Sequence, residues 1–347
     1  MARIDVTIRG AGIFGMACAW EMVRRGAKIR VIDTKGVFAG CSGGLVGALA
    51  PHVPERWNAK KAFQFESLIM AEEFWRDVSQ ASGEDPGYAR TGRLQQILDE
   101  EGLTRARERA VEAETLWQGK AVWNVVRAEE FGDWAPVTPT GWLIHDTLTA
   151  RLHPRKAGAA LAAAFQSAGG ELVIGEAENE GALLWATGVE GLSDLSAETG
   201  KTIGAPIKGQ AALLKLDRPD APQYLADSTH GIPHVDGTFA IGSTTEREYD
   251  DPFSTDSQID DVVGRAKAAC PALADAPIIA RWAGLRPRSR SRAPILGAWP
   301  DRDAHFVANG GFKIGFGMAA KVAQVMADLI LEGKDAIPEG FRVEDNL

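Results

Sequence analysis

Cysteine is scarce in this chain. Its three residues, Cys18, Cys41 and Cys270, are odd in number and far apart. No Cys-x-x-Cys pair occurs, so neither a disulfide framework nor a zinc ribbon is implied. The six histidines are scattered without ligand spacing, and no metal centre is expected. No apolar run reaches the ~18 residues of a membrane span, so no membrane partner is expected. Positive charge is not in excess: 38 basic against 47 acidic residues leave a net charge of −9. That balance argues against a general nucleic-acid binder, whose phosphate contacts need a basic face, although a local basic patch stays open. Repeats and low-complexity linkers are also missing. Met1-Ala2-Arg3 runs directly into a first strand, so no leader peptide is expected. A reducing, cytoplasmic setting fits these absences, and homo-oligomer formation stays open.

What the sequence does hold is concentrated in its first 33 residues. Asp5-Val6-Thr7-Ile8-Arg9 leads into Gly10-Ala11-Gly12-Ile13-Phe14-Gly15, and Asp33 follows eighteen residues later. This order reads as strand, G-x-G-x-x-G turn, helix, second strand and acid. Gly10 makes the tight turn, Gly12 lets backbone approach a pyrophosphate, and Gly15 lets the helix pack closely. The helix N-terminus offers free N–H groups and a positive dipole end to phosphates. Asp33, closing Ile29-Arg30-Val31-Ile32, is placed to accept from ribose hydroxyls. The motif binds an ADP moiety and by itself does not separate NAD from FAD.

A chain of 347 residues suggests about two domains, and their elements interleave. Gly40 to Pro51 holds five glycines or prolines in twelve residues, a loop whose backbone must come close to something. Helices are predicted over 59–80, 102–118 and 155–168, the second a charged, solvated one. Strands are predicted within Tyr88 to Leu98, over Glu171 to Ile174 and from Ala182 towards Gly188. Ala211 to Leu216, Gly231 to Val235 and Thr238 to Ile241 read as an antiparallel set with tight turns. The chain closes with a strand at His305 to Ala308, a glycine cluster, and a helix striped by Met318, Val322, Val325 and Leu329.

Several motifs now fall in one order: Gly10 to Gly15, Ser42 to Pro51, Thr91-Gly92-Arg93-Leu94, Ala186-Thr187-Gly188, Lys208-Gly209-Gln210, Trp282 to Pro287, and Asn309 to Gly315. Together they resemble the FAD-dependent D-amino-acid oxidase and glycine oxidase superfamily across nearly the whole chain. The Ser42-Gly43-Gly44 loop, Phe63-Gln64-Phe65 and Ser289 to Pro294 add a likeness to the FAD domain of the bacterial bifunctional enzyme making 5-methylaminomethyl-2-thiouridine in tRNA. The resemblance implies an α/β fold: a Rossmann-type FAD-binding domain interleaved with an α+β substrate domain on an antiparallel sheet. Residues 1–84, 141–205 and 281–347 are expected to carry the cofactor; residues 85–140 and 206–280 carry the substrate.

The resemblance also implies non-covalent FAD. Gly10, Gly12, Ile13, Phe14, Gly15, Asp33, Ala177, Thr187 and Gly188 would serve its nucleotide half. Cys41 and Ser42 would lie by the pyrophosphate or ribityl chain, and Gly47 and Ala48 near the flavin N5 edge. Gly311, Phe312, Lys313 and Ile314, leading into the last helix, would face the N1–C2=O edge. Arg286 would hold a substrate carboxylate, because a guanidinium fork matches it bidentately. Lys313 stands where glycine oxidases carry a second carboxylate-binding arginine, and His230 near a pocket tyrosine. Arg281, Arg288, Arg290 and Arg292 crowd Arg286, and Pro287 argues against one strand presenting them all. The implied activity is hydride removal from the carbon next to the amine of a small amino acid or secondary amine. Oxidation of a carboxymethylaminomethyl-uridine in tRNA, an amine dehydrogenase using an acceptor other than oxygen, and flavin binding without turnover are the alternatives.

Overall fold

The computed structural model describes residues 3–347. Its first sheet has the order β15 (Ile295–Ala298), β16 (His305–Asn309), β9 (Ala182–Trp185), β1 (Val6–Arg9), β2 (Ile29–Asp33), β8 (Glu171–Ile174). All pairings are parallel except β15 with β16. β1 lies centrally, and Val6, Thr7 and Ile8 are all buried, as a parallel strand covered on both faces requires. Helices α1 (Ile13–Arg24), α4 (Pro154–Ser167) and α7 (Gly315–Glu332) pack around this sheet. α1 is enclosed by α4 and α7, so Met16, Cys18, Ala19 and Met22 are all fully buried and no polar face remains. Each such large apolar side chain contributes ~1.5–3 kcal/mol by leaving water. α2 (Ala59–Ser82) forms a further layer on α4 and α7. Its start is capped by Asn58, whose side chain accepts from the Lys61 N–H at 3.1 Å, and Gly83 ends it at φ 72°.

The second sheet has eight strands: β14 (Ile278–Ser289), β10 (Gly204–Lys215), β13 (Thr238–Gly242), β12 (Thr229–Pro233), β11 (Gln223–Ala226), β4 (Arg93–Gln96), β6 (Trp142–Asp146) and β5 (Trp123–Arg127). Only β11 with β4 is parallel. Two short strands, β3 (Ala48–Leu49) and β7 (Ala150–Arg151), join the loop after β2 to the chain ahead of α4. α3 (Glu100–Leu116) packs on β5, α5 (Val189–Thr199) on β10 and β14, and α6 (Ser257–Ala269) on β10, β12 and β13. The α6 face of the sheet carries Leu94, Leu214, Tyr224, Phe239 and Ile241 in one apolar cluster. The alternate residues face the other way. Leu225 opposes His230, His230 opposes Gly242, Ala211 opposes Trp282, and Ile207 opposes Arg286. Period-two alternation thus turns one row of side chains toward the first sheet.

The segments differ from expectation in four places. β6 and the whole of β14 hydrogen-bond into the second sheet, although 141–205 and 281–347 were assigned to the cofactor side. β14 continues past Pro287 to Ser289. Pro287 faces Pro206 across the ladder, a pairing an antiparallel sheet tolerates where no N–H···O bond is due. Helices α5 and α6 carry no expectation, and neither do strands β5, β6 and β11. Among the described residues no helix is long and apolar enough to cross a membrane.

Candidate active site

A cavity of about 1260 Å³ runs between the two sheets. One end is built from backbone. Gly10 adopts φ +102°, and a Cβ there would sit 2.5 Å from the Ala186 carbonyl oxygen. At Gly15 a Cβ would meet the Gly10 carbonyl oxygen at 1.9 Å, so this glycine seats the helix and does not reach the cavity wall. Gly12 is open: only Ser42 Oγ, at 3.4 Å, stands near its absent Cβ. That opening, at the N-terminus of α1 beside Ile13 and Phe14, offers the free N–H groups and dipole that a pyrophosphate would need. Ser42 Oγ accepts from the Ile13 N–H at 3.0 Å, which leaves its own proton free for a ligand.

Asp33 closes this end. Its carboxylate accepts from the N–H groups of Ala11 (2.8 Å), Lys35 (2.8 Å) and Gly36 (3.0 Å). A carboxylate has about four acceptor sites, so roughly one remains for a ribose hydroxyl. Lys35 and Glu190 pair across the cavity rim at 2.8 Å. Thr187 Oγ1, next to Gly188 on the wall, is buried without a partner, as a ligand-facing hydroxyl would be. Ala177 is off the wall. Its carbonyl takes the Arg9 guanidinium at 2.7 Å, and Arg9 itself lines the cavity.

The middle of the cavity is bounded by two loops. In the first, Gly47 has φ +67°, and a Cβ would stand 2.1 Å from the Leu152 carbonyl oxygen. Ala48 follows as β3. In the second, the Phe312 N–H donates to the Pro287 carbonyl at 3.1 Å, which ties this loop to β14. Gly311, Phe312, Lys313 and Ile314 all line the cavity. α7 starts here without a side-chain cap, so its first N–H groups are available to an acceptor.

Long side chains make the other end. Arg286 is buried, with its guanidinium lying over Gly209, where a Cβ would be 1.9 Å from Nη1. Its Nη1 donates to the Thr244 carbonyl at 3.3 Å. Behind it, Glu246 is held by Gln210 (3.1 Å), by Thr244 and by Lys208 (3.5 Å), so that carboxylate already has its cation. Cys41 reaches this end as well. Burial raises its thiol pKa, and the Arg286 charge partly opposes the rise. Cys41 thus lines the cavity within electrostatic reach of the guanidinium. Lys313 is exposed toward the cavity and donates to Thr245 Oγ1 at 2.8 Å. Loss of bulk water, then the Arg286 charge, lowers its pKa to about 8. His230 is pushed down to about 3 by burial, then by Arg93 and Lys313. It is a neutral imidazole of low basicity, which removes it as a general acid or base.

The arginine-rich segment does not form one basic face. Arg281 is exposed and paired with Asp260, while Arg290 donates to the Asn346 and Leu347 carbonyls at 3.4 and 3.2 Å. Arg286 alone of the five lines the cavity. Arg93, Trp282, Leu225 and Phe253 also line it and carry no predicted role. The one signal for Arg93 is its place in the Thr-Gly-Arg-Leu motif. The histidines are less scattered in space than in sequence: His153, His234 and Asp236 bring one ligand atom each within 4.8 Å of one another. His153 Nδ1 accepts from the Lys156 N–H at 3.3 Å and its Nε2 faces Asp236 at 3.4 Å, so the group ties α4 to the β12–β13 turn.

Comparison with known proteins agrees with this geometry. The FAD dependent oxidoreductase family model matches residues 5–329, and the chain belongs to that family. Glycine oxidase of Pseudomonas aeruginosa is 32% identical over 174 residues, 48% of this chain and 48% of the relative. A bifunctional ThiO/ThiG protein of Trichormus variabilis is 26% identical over 353 residues, 95% of this chain and 53% of the relative. The matches thus span about half the length of both relatives. Among solved structures, glycine oxidase from Geobacillus kaustophilus superimposes with TM-score 0.84 at 20% identity, covering 99% of each chain. Iminodiacetate oxidase from Chelativorans sp. BNC1 gives 0.85 at 21%, covering 97% of this chain and 98% of the other. These two likenesses carry the fold.

Proposed function

We propose that this FAD-dependent oxidoreductase oxidises the C–N bond of a small amino acid, with Arg286 anchoring the carboxylate. The supporting observation is a buried guanidinium on the wall of the same cavity whose far end carries the dinucleotide cradle. The glycine oxidase relative and the amino-acid chemistry of its name support the same reading.

Gly12, Ser42 and the N-terminus of α1 would hold the pyrophosphate of FAD, Asp33 the adenosine ribose, and the start of α7 the pyrimidine edge of the flavin. FAD, when bound, supplies the acceptor for a hydride leaving the carbon next to the amine. The protein's part is placement. Arg286 gives the carboxylate a fork of fixed direction, and Lys313 adds a second positive charge to the same end of the cavity. Trp282 and Leu225 border the same wall and limit water. His230 is held neutral and titrates at about 3, too weak a base to take a proton there, while Lys313, lowered to about 8, is charged at neutral pH. The substrate ammonium gives its proton to solvent before the hydride leaves, and the imine product hydrolyses in water. Positioning carries the rate in such a site.

Anaerobic mixing with a panel of small amino acids tests the reading: the yellow flavin colour should bleach with at least one member. A holoenzyme bleached by dithionite but by no amine would overturn it. The FAD should be non-covalent, since Cys41 is a buried thiol of raised pKa and not a reactive thiolate. Acid precipitation should leave the flavin in the supernatant.

A further inference from the structure

The reacting end of the cavity offers far more hydrogen-bond donors than one carboxylate can accept. Four groups follow one another along the wall. Arg286 and Lys313 feel each other's charge, Lys313 and Arg93 both act on His230, and all four line the cavity. Arg93 is buried and spends only Nε on protein, donating to Asp146 Oδ2 at 3.1 Å. Its two terminal nitrogens have no protein partner among the described residues. Lys313 uses one N–H on Thr245 and has two left. His230 Nδ1 is buried and has no partner among the described residues. One carboxylate has about four acceptor sites, of which the Arg286 fork fills two; the free N–H groups of Lys313 and Arg93 alone outnumber the rest.

The charges agree with the donor count. Asp146 balances Arg93, and it is also occupied by the Thr149 N–H (2.9 Å) and hydroxyl (2.6 Å). Glu246 is shared between Lys208, at 3.5 Å, and the back of Arg286. Neither carboxylate lines the cavity. The three carboxylates that do, Asp33, Glu190 and Asp194, stand with Lys35 and Gly188 at the nucleotide end. Arg286 and Lys313 therefore face the substrate space with two positive charges and no acid among them.

We propose that the substrate carries two carboxylates. Arg286 takes the one beside the reacting carbon; Lys313, His230 and Arg93 form a subsite for the other. The favoured class is a dicarboxylic amine, either an acidic amino acid or an N-(carboxyalkyl) amino acid. This deepens the amine-oxidation reading and rests on it for the reaction, but not for the binding.

Two measurements on the purified holoenzyme separate the claims. The first is equilibrium binding of non-oxidisable acids, followed calorimetrically: malonate and succinate against acetate and propionate. The dicarboxylates should bind at least about tenfold tighter, the equivalent of one charge-assisted hydrogen bond. The second is anaerobic flavin reduction by iminodiacetate against sarcosine, which differ by one carboxylate. The kcat/KM ratio should also reach about tenfold. Arg93→Lys, which keeps a cation against Asp146 but loses the free nitrogens, and Lys313→Gln should each bring both ratios toward one. Dicarboxylates binding no tighter than monocarboxylates, or ratios unmoved in both variants, would overturn the subsite even if sarcosine bleaches the flavin. Tight dicarboxylate binding with no amine bleaching the flavin would sustain the subsite and sink the oxidation reading.

Discussion

The two ends of the cavity are made of different material. The nucleotide end is backbone: glycines at positions 10 and 12, the N-terminus of α1, and a carboxylate whose oxygens already serve three N–H groups. The reacting end is side chain: Arg286, Lys313, His230 and Arg93, brought from β14, the loop before α7, β12 and β4. Backbone geometry can be broken but hardly tuned. Side-chain geometry can be tuned one residue at a time. A ligand common to many reactions belongs at the first end and a ligand specific to one reaction at the second.

The sharpest way to break this comparison is at Gly10. A β-branched residue cannot take φ +102° without strain, and its Cβ would strike the Ala186 carbonyl. Gly10→Val should cost more than about 4 kcal/mol of stability, read as loss of the folded, FAD-retaining protein in thermal melts. Arg286→Met comes next and should act on the other end alone. Breaking a buried charge-assisted pair costs about 3–5 kcal/mol, a fall of roughly 10²- to 10³-fold in kcat/KM with FAD content intact. Arg286→Lys should recover part of it; a wild-type rate and half-saturation in Arg286→Met would make the residue structural.

Asp33 probes the nucleotide end more gently. Asp33→Ala should weaken FAD binding by ~1–3 kcal/mol, since ribose hydroxyls and three N–H groups lose an acceptor. Unchanged FAD affinity in the apoprotein would remove Asp33 from the site. The smallest effect is one of pH. Lys313 is charged below about 8 and loses its charge as pH rises through that value. Carboxylate affinity should fall in the same window, with KM rising up to about tenfold between pH 7 and 9. Lys313→Met should flatten that rise, and a slope that survives the substitution would assign it elsewhere.

The contrast also decides what is legible in the sequence. A backbone cradle needs glycines at fixed short spacing, so Gly10, Gly12 and Gly15 stand out in one line of text. Asp33 is readable for the same reason, as the end of the strand that follows. The side-chain end joins residues up to about two hundred positions apart, and only register brings them together: Leu225 to His230, His230 to Gly242, Ala211 to Trp282. Arg286 and Lys313 were reachable through their motifs. Arg93 stands in the Thr91-Gly92-Arg93-Leu94 motif but carries no role there, because nothing local distinguishes an arginine that enters a cavity from one that enters solvent. Proline chemistry misleads at Pro287: it argues for a strand end, yet an opposing Pro206 lets the ladder continue. Nor can spacing reveal that His153 and His234, eighty-one positions apart, lie with ring centroids 4.7 Å apart.

That ladder, continuous past Pro287, has a kinetic consequence. β14 is bonded to β10 along the second sheet, and its far end is bridged to Gly311 through Arg288. A strand tied into both layers resists any motion that would part them. Ligands must then come and go where the wall is a loop, at Phe253, which is 70% exposed at the cavity rim. Deuterium should enter the amides around Phe253 within the earliest labelling times, while those of Gly284, Arg286 and Arg288, which face β10, stay protected until global unfolding.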